Sequence, residues 1–491
     1  MSERSADLEP FAVRRCGLGR FEAVVLGLIA AALVYQLMIP PMVGLADNGD
    51  FHRVTSPLGL THTLEDDAEM YLGYVDGKYR HVHPGYWHFV TAETFFAMLA
   101  IGVSKIVSKD GLFDIVTMGV VHSIFFLAAI ALILGAGRRY GSTAKYALGV
   151  ALILVTTEVG YVAYFNSFYM ATAALLALCL VMAFALRAMQ AEGSLKWLLA
   201  YFIAGALFVT SMSQTAPLAV FLAGFGLLLS PSRLPRLNKA VAPALALALC
   251  VVAAVSYRLG SPRSYKNLIL WDSVFLNIIP NSPDAKADLT ALGLDKRWIR
   301  YSGRPGLIDP GELPFDAMRR DVGGPSGVLL FYATHPDRRY AQLRRCAERA
   351  FQLRVDYLGN FEKDAGLPPR AKSQAFALWS DLRLKLVPQS HRLLFIGLFF
   401  GAIFTGSLFE MVRTRRRGLH TLMPAFVALL AALALGQFLV VAFTAGVAAL
   451  VKGLWLFNFL FDSLLVIAFV WIVNLATRLW RGVATRRRVT P

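Results

Sequence analysis

Charged residues are scarce in this sequence. Only 16% of its 491 residues are Asp, Glu, Lys or Arg, whereas 56% are hydrophobic. Soluble domains carry about a quarter charged residues, so the composition excludes an ordinary soluble protein. The hydrophobic residues also fall in long blocks, each close to the ~20 residues that a helix needs to cross ~30 Å of hydrocarbon. The sequence therefore predicts an all-α polytopic membrane protein.

Cysteine is also rare, and no internal repeat is visible. The four cysteines are scattered along the chain, and only Cys346 falls in a predicted outer loop. No disulfide framework is therefore expected. Many secondary transporters are built from paired repeats, so the missing repeat disfavours that class.

The net charge of +17 would suit a nucleic-acid partner, but the placement of the charges indicates a membrane. Basic residues cluster at the ends of hydrophobic blocks, which is how the positive-inside bias marks cytoplasmic loops. We therefore expect membrane lipids as neighbours, no nucleic acid, and both termini on the cytoplasmic side. The basic clusters lie at 14–15, 138–139, 413–417 and 486–488.

The hydrophobic blocks predict about ten transmembrane helices. The first block, residues 21–39, is longer than the apolar region of a usual signal peptide, so we expect an uncleaved first span. The remaining spans are predicted at 114–136, 145–165, 168–186, 197–212, 217–229, 240–257, 393–412, 422–443 and 454–475.

The predicted topology places most polar residues outside. A cytoplasmic N-terminus (1–20) and a basic cytoplasmic tail (477–491) enclose two membrane modules, 21–257 and 391–476. A small outer domain is predicted at 258–390. The outer loop 43–110 is predicted to hold a hairpin around Asp76-Gly77 and juxtamembrane helices, the longest from Gly85 to Val107 at the interface.

An acidic motif, Asp47-Asn48-Gly49-Asp50, follows the first span. Gly49 favours a turn that can direct both carboxylates into one pocket. A carboxylate that is partly desolvated at the membrane boundary can act as a general base. Asp50 and Asp47 are therefore the candidate catalytic residues. The competing interpretation is an Asx turn in which both side chains only cap backbone N–H groups.

Histidines near this motif raise the question of a metal site. His81 and His83 form an H-x-H pair with loose acidic neighbours, but structural zinc sites usually show tighter paired spacings. Hydrogen bonding within a hairpin and a helix cap is the favoured interpretation. We therefore assign no metal ligand and no certain cofactor, and leave a divalent cation open.

Ionisable residues inside the predicted spans are few, and such residues are often functional. Glu158 lies in the outer half of the third span, and Asp462 about a third of the way into the last one. Lys452 stands at the outer end of the last span, roughly 15 Å along a helix from Asp462, so these two cannot pair. Lys452 either contacts an anionic head group such as a phosphate or only snorkels to the interface.

Four ordered blocks carry a family resemblance that spans most of the chain. The blocks are 47–51 with Arg53, 164–169, 280–283 with 292–294, and 452–462. With them the sequence resembles the GT-C superfamily of polyprenyl-phosphate-dependent glycosyltransferases, and more narrowly the bacterial WsfD-like hexosyltransferases of surface glycans.

The resemblance implies transfer of a hexose from an undecaprenyl-phosphate-linked donor to a cell-surface glycan or lipid-linked acceptor. The protein would lie in the bacterial inner (cytoplasmic) membrane as a multi-pass protein, with its active site facing the periplasm or cell exterior. Asp50 or Asp47 would activate the acceptor hydroxyl in an inverting single displacement, and Lys452 would meet the lipid phosphate. The further candidates for substrate binding are Asn48, Arg53, His83, Asn166, Asn458 and Asp462.

One departure from the family pattern concerns the residues after Tyr169. Met170 and Ala171 stand where the resemblance implies a polar or acidic residue, which weakens any second carboxylate or metal ligand in that loop.

Two other classes of function are weighed against the enzyme. A transporter or flippase for a lipid-linked or anionic solute would also explain Lys452, Asp462 and Glu158. It predicts functional polar residues on both sides of the membrane midplane, however, and here they concentrate on one side. A scaffold for polysaccharide assembly would leave the loop carboxylates replaceable. The sequence leaves open the sugar, the acceptor, the oligomeric state, and which aspartate is the base.

Overall fold

Apolar helices form a bundle, and two long loop segments lie against one end of it. The computed structural model describes residues 18–85, 89–138, 141–190, 194–229, 240–306, 313–414, 422–446 and 449–489. The loop segments are 39–115 and 260–391. We call the end of the bundle where they lie the loop face.

Seven of the described helices are long and apolar enough to cross a membrane, and eight if a bent pair counts as one span. Two further apolar helices are shorter. The bundle helices are α1 (Arg20–Met38), α2 (Val116–Gly137), α3 (Ser142–Thr156), α4 (Met170–Gln190), α5 (Leu195–Ser211), α6 (Ala219–Leu228), α7 (Val241–Leu259), α8 (Arg392–Thr414), α9 (Leu422–Thr444) and α10 (Trp455–Val489).

The predicted all-α polytopic class is confirmed, and each of the ten predicted spans coincides with a helix. Two of them fall short of a full span by length: α5 has 17 residues and α6 has 10. The length criterion therefore supports fewer crossings than the ten that hydropathy predicts.

The third predicted span is a helix pair bent by 59°. The bend follows from Glu158, which leaves the helical conformation and caps the next turn. Its fully buried carboxylate accepts hydrogen bonds from Gly160 N (3.2 Å) and from Ser380 N (3.0 Å), in the first turn of helix Leu378–Leu386. Glu158 thus satisfies N-terminal amides of two helices, which is a favourable position for a carboxylate.

The loop segments contain short helices and, among the described residues, a three-stranded antiparallel sheet. Its strands are β1 (Leu60–His62), β2 (Lys78–His81) and β3 (Phe113–Asp114), in that order. The loop helices are His52–Thr55, Asp67–Met70, Ala92–Val107, Arg263–Asp272, Ala285–Ala291, Phe315–Val322, Pro325–Thr334, Pro336–Arg349 and Leu378–Leu386. Two further short helices, Val159–Val162 and Leu450–Gly453, lie between bundle helices.

Of the hairpin predicted around Asp76-Gly77, the structure contains the second strand but not the first. Strand β2 begins where expected, but residues 71–75 form no strand, and β2 pairs instead with β1 and β3. Asp76 explains the change of partner, since its carboxylate accepts hydrogen bonds from Thr63 N (3.0 Å) and Lys78 N (3.1 Å). It therefore joins the end of β1 to the start of β2.

The interfacial helix predicted at 85–107 is helical over Ala92–Val107, and residues 86–88 of that prediction lie outside the described residues. Just before it, Thr91 Oγ1 donates to Ser211 O at the end of α5 (2.7 Å). Near its end, Ser104 Oγ accepts from Asp114 N, just before α2 (3.4 Å). Both ends lie on the loop face, as expected for a helix that does not cross.

The two loop segments are joined to each other through their backbones. Gly44 N donates to Asn360 O (3.0 Å), Asn360 Nδ2 donates to Gly44 O (2.8 Å), and Ala46 N donates to Gly359 O (3.0 Å). The acidic motif that follows Ala46 is therefore fixed by a segment more than 300 residues later in the chain.

Most buried hydrophobic residues of the late loop belong to two hydrophobic clusters. Trp271, Phe275 and Met318 belong to a cluster of their own, whereas Phe351 and Leu358 belong to the large core of the bundle. The boundaries predicted for the outer domain stay a prediction.

A buried ion pair fastens the late loop to the last helix. Asp462 Oδ2 on α10 accepts hydrogen bonds from Arg383 Nη1 (3.2 Å), Trp379 Nε1 (2.8 Å) and Tyr161 Oη (2.6 Å). Arg383 also donates to Asn458 Oδ1 (2.9 Å). Asp462 is fully buried and Arg383 is 3% exposed, so each charge depends on the other.

Replacing Asp462 by Ala is therefore expected to destabilise the protein by about 3 kcal/mol or more, because Arg383 is left buried without a counter-charge. The double variant Asp462→Leu with Arg383→Met should recover most of this loss. Thermal unfolding in one detergent measures both. Ser463→Ala, one residue further on, is the matched control, and an unchanged melting temperature for Asp462→Ala would contradict a structural role for the pair.

Candidate functional site

A cavity of about 300 Å³ lies at the loop face, between the first loop and the ends of several bundle helices. Its walls come from the acidic motif, the N-terminal ends of α4 and α10, and the C-terminal ends of α5, α7 and α9. Helix Arg263–Asp272 of the late loop closes another side. Both loop segments and the bundle thus contribute to it.

Asp50 carries the charge that the acidic motif presents to this cavity. Its carboxylate pairs with Arg53 (Oδ1 to Nη2, 2.5 Å) through one oxygen and with Lys452 through the other. Burial disfavours the charged form, but Lys452 and Arg53 outweigh it and lower the pKa of Asp50 to about 2. Asp50 is therefore an ionised carboxylate between two cations.

Lys452 lies on helix Leu450–Gly453, immediately before α10, and its side chain is 15% exposed. Its ammonium donates to Asn48 Oδ1 (3.2 Å) and lies 3.9 Å from the centre of the Tyr169 ring. Burial lowers the pKa of Lys452, and the neighbouring Asp50 opposes that shift. Lys452 thus points into the cavity.

Arg53 is held by aromatic residues on its other side. Its Nη1 donates to Tyr265 Oη (3.1 Å), and its guanidinium lies 4.1 Å from the centre of the Tyr265 ring and 5.4 Å from that of Phe89. A guanidinium stacked on an aromatic face keeps its orientation. The second cation is therefore positioned as firmly as the first.

Asp47 has a different role from Asp50. Its Oδ1 accepts hydrogen bonds from Gly49 N (2.8 Å) and Phe51 N (3.1 Å), while Gly49 adopts a positive φ of 89°. Asp47 is 3% exposed and does not line the cavity. The Asx-turn interpretation therefore describes Asp47, and this turn is what directs Asp50 into the cavity.

His62 ties the turn to the sheet. Its Nε2 lies 3.2 Å from Asp47 Oδ2 and its Nδ1 lies 3.1 Å from Asp76 Oδ2. Burial disfavours the charged ring, but the hydrogen bonds to Asp47 and Asp76 outweigh it and raise the pKa of His62 to about 9. His62 is therefore an imidazolium at neutral pH, bound between two carboxylates.

Four of the nine predicted site residues meet in the cavity: Asn48, Asp50, Arg53 and Lys452. The other five do not line it, and their predicted roles in catalysis or substrate binding stay predictions. His83 is exposed at the end of the sheet. Asp47, Asn166, Asn458 and Asp462 are buried and hydrogen-bonded to backbone or side chains, with Asn166 Nδ2 donating to Leu37 O and Val43 O (both 2.9 Å).

Sequence reasoning missed several residues that face the cavity, notably Tyr265, Gln214 and Asp272. Asp272 is half-buried, its Oδ1 accepts a hydrogen bond from Gly306 N (3.2 Å), and burial raises its pKa. No motif surrounds it in the sequence. Only its position at the end of the first helix of the late loop could have suggested it.

Carboxylates, histidines and cysteines form no group of three or more that could hold a metal ion, as far as the described ranges extend. The divalent cation that the sequence left open is not tested by this arrangement.

The bundle and its cavity define a class: a multi-pass membrane protein with a charged site where its loops meet its helices. More particularly, the chain belongs to the YfdI N-terminal transmembrane domain family, whose model matches residues 13–489. Neither the curated proteins nor the solved structures contain a match. The family agrees with the predicted transmembrane character over nearly the whole chain.

The charged state of His62 makes stability depend on pH. Because its pKa rises from 6.5 to about 9 on folding, its contribution is complete below pH 6.5 and is lost as the pH rises through about 9. The shift corresponds to about 3 kcal/mol at most. The melting temperature of the wild type should therefore fall over this range more steeply than that of His62→Gln.

The matched control is His83→Gln, since His83 is an exposed histidine of the same loop. It should follow the wild-type profile. Parallel profiles for wild type and His62→Gln would show that His62 is not the group responsible.

Proposed function

We propose that this protein is a glycosyltransferase that moves a sugar from an undecaprenyl-phosphate donor to the hydroxyl of a glycan or lipid-linked acceptor. One observation carries the proposal: an ionised carboxylate, Asp50, contacts two cations, Lys452 and Arg53, in a cavity at the loop face. The association of the YfdI family with GT-C-like glycosyl transfer and the resemblance to WsfD-like hexosyltransferases support it.

The two cations suit the donor's phosphate. Arg53 offers a planar fork of N–H groups and Lys452 a compact ammonium, and both types of side chain bind phosphates. Fixed positive groups at this point stabilise the charge that develops on the leaving phosphate in the transition state. Apolar cavity residues such as Val90, Leu268 and Leu456 suit the first part of the lipid chain.

The reaction is a single displacement. The acceptor oxygen attacks the anomeric carbon, and the bond from that carbon to the phosphate oxygen breaks. Its electron pair stays on the phosphate, which Lys452 and Arg53 stabilise, and the acceptor proton passes to Asp50. One displacement inverts the anomeric configuration. Asp50 is the base in this scheme because both carboxylate oxygens of Asp47 are already engaged, one by the backbone of the turn and the other by His62.

The rest of the cavity suits a sugar. Tyr169, Tyr265 and Tyr357 supply aromatic faces, and Gln214 supplies an amide that can hydrogen-bond to sugar hydroxyls. Glu158 and Asp462, on which a transporter would depend, instead accept hydrogen bonds from groups of the late loop. The arrangement therefore favours the enzyme over transport.

The proposed site faces the outside of the bacterial inner membrane. The bundle helices that end away from the loop face carry basic residues there: Arg187 in the last turn of α4, Arg413 in the last turn of α8, and Arg138 directly after α2. The positive-inside bias favours a cytoplasmic side for that end, which supports a cavity on the periplasmic or exterior side.

Asp50→Asn is expected to lower the transfer rate by about 10²- to 10⁴-fold, the contribution typical of a general base. Lys452→Met should also lower it, because the leaving phosphate loses one of its cations. Transfer is measured in membranes supplied with a labelled polyprenyl-phosphate sugar, at matched expression.

Asp110→Asn is the control for the loss of a carboxylate, because Asp110 lies in the same loop but is exposed and pairs with Lys78. It should keep wild-type transfer. Full transfer by both Asp50→Asn and Lys452→Met would refute the proposed chemistry.

A further inference from the structure

The cations proposed for the phosphate already have an anionic partner. Asp50 uses one carboxylate oxygen for Arg53 and the other for Lys452. The acceptor's hydroxyl needs one of these oxygens, and the donor's phosphate needs the same two cations. In the arrangement seen here, Asp50 fills the site proposed for the phosphate, and the two cations engage the oxygens that the acceptor's hydroxyl needs.

Among the described residues, the other close contacts of the two cations are with neutral groups. Lys452 meets the Asn48 amide oxygen and the face of Tyr169, and Arg53 meets the hydroxyl and ring of Tyr265. These groups hold the cations in place without neutralising them. In direct contact, two cations therefore share one carboxylate, and an anion with more oxygens than a carboxylate can contact both.

Asp50 and a phosphate cannot both keep these partners. Both are anions, and like charges close together in a partly buried site disfavour each other. A carboxylate held by two cations is also a weak proton acceptor. A base in this position needs to be released before it can act.

We propose that the donor's phosphate replaces Asp50 on Lys452 and Arg53, so that donor binding itself frees Asp50 to accept the acceptor's proton. This inference rests on the proposed function and adds to it how the base is controlled. Without donor, Asp50 neutralises cations that would be costly to leave unpaired. With donor bound, it becomes a stronger base beside the anomeric carbon.

The same competition operates after transfer. The phosphate leaves with the electron pair of the broken bond, and Asp50 carries the acceptor's proton. When Asp50 loses this proton to water it regains its charge and competes again for Lys452 and Arg53, which promotes release of the lipid phosphate. The ion pair is thereby restored for the next donor.

The decisive measurement is the affinity of the full-length protein for undecaprenyl phosphate in lipid nanodiscs, by titration calorimetry. Asp50→Asn removes the competing anion and should bind roughly tenfold more tightly than the wild type, as expected for a close charge pair. Asp50→Glu keeps the charge and should bind within a few-fold of the wild type. Lys452→Gln should bind more weakly.

Asp272→Asn is the matched control. Asp272 is a second carboxylate of the same cavity, but it accepts its hydrogen bond from Gly306 N and not from either cation. Its loss should leave the affinity within about twofold, which separates direct competition from a general change of charge. Inorganic phosphate and undecaprenol are titrated in parallel to separate binding of the head group from binding of the lipid chain.

Equal or weaker binding of undecaprenyl phosphate by correctly folded Asp50→Asn overturns the inference, and so does an equal gain for Asp272→Asn. Transfer assays on the same preparations separate the two proposals. Tighter binding with lost transfer supports both. Unchanged binding with lost transfer keeps the proposed function and overturns the competition. Tighter binding with full transfer overturns Asp50 as the base, and a wild type that binds only inorganic phosphate or undecaprenol overturns both.

Discussion

The contact between Lys452 and Asp50 joins residues 402 positions apart, and most of the loop face serves to hold it. A charge taken out of water is costly unless it is paired and hydrogen-bonded. The fold must therefore hold Asp50, which lies near the other end of the chain, within contact distance of the Lys452 ammonium. Asp47 and Gly49 form the turn that delivers Asp50, and the backbone pairing of Gly44 and Ala46 with 359–360 fixes where that turn lies. Tyr169 contributes twice, because its hydroxyl donates to Ala46 O (2.7 Å) and its ring lies against the Lys452 ammonium.

The buried carboxylates in this protein differ in the groups that donate hydrogen bonds to them. Glu158 accepts from the first-turn amides of two helices, Asp47 from the amides of its own turn, and Asp462 from Arg383 and two aromatic donors. Glu158 and Asp47 have both carboxylate oxygens hydrogen-bonded within the protein, and the charge of Asp462 is paired with Arg383 through Oδ2, so partners within the protein account for the burial of all three. Asp50 also has partners, but those partners border a cavity that a substrate can enter. Accessibility of the partners, more than burial of the carboxylate, is what marks a candidate reaction centre.

The helices and the central motif could be predicted from the sequence, because both depend on local information. Hydrophobic length defines where each bundle helix lies, and Gly49 between two aspartates indicates a turn whatever lies around it. Lys452 was identified because a lysine at the end of an apolar helix is conspicuous. The division of roles between Asp47 and Asp50 was not predictable, since it depends on His62 and on the register of a sheet whose strands lie far apart in sequence. Asp272 and Tyr265 were missed for the same reason, because no sequence feature near them indicates that the late loop folds back over α5, α7 and α9. The bend at Glu158 likewise depends on Ser380, which comes more than 200 residues later.

The helix ends around the cavity make its two sides electrostatically different. The N-terminal ends of α4 and α10 meet it through Met170 and Trp455, on the side where Lys452 lies, whereas α5, α7 and α9 meet it with their C-terminal ends. Helix N-termini favour negative charge and C-termini disfavour it, each by about 0.3–1 kcal/mol in exposed settings. The helix ends and the two cations thus make one side of the cavity suited to an anion, and leave the side with Gln214 to neutral, hydroxyl-bearing groups. A donor that carries its phosphate at the level where α10 begins, and its sugar beyond the phosphate, matches that order. The orientation proposed for the substrate follows from the polarity of the helix ends as well as from Lys452 and Arg53.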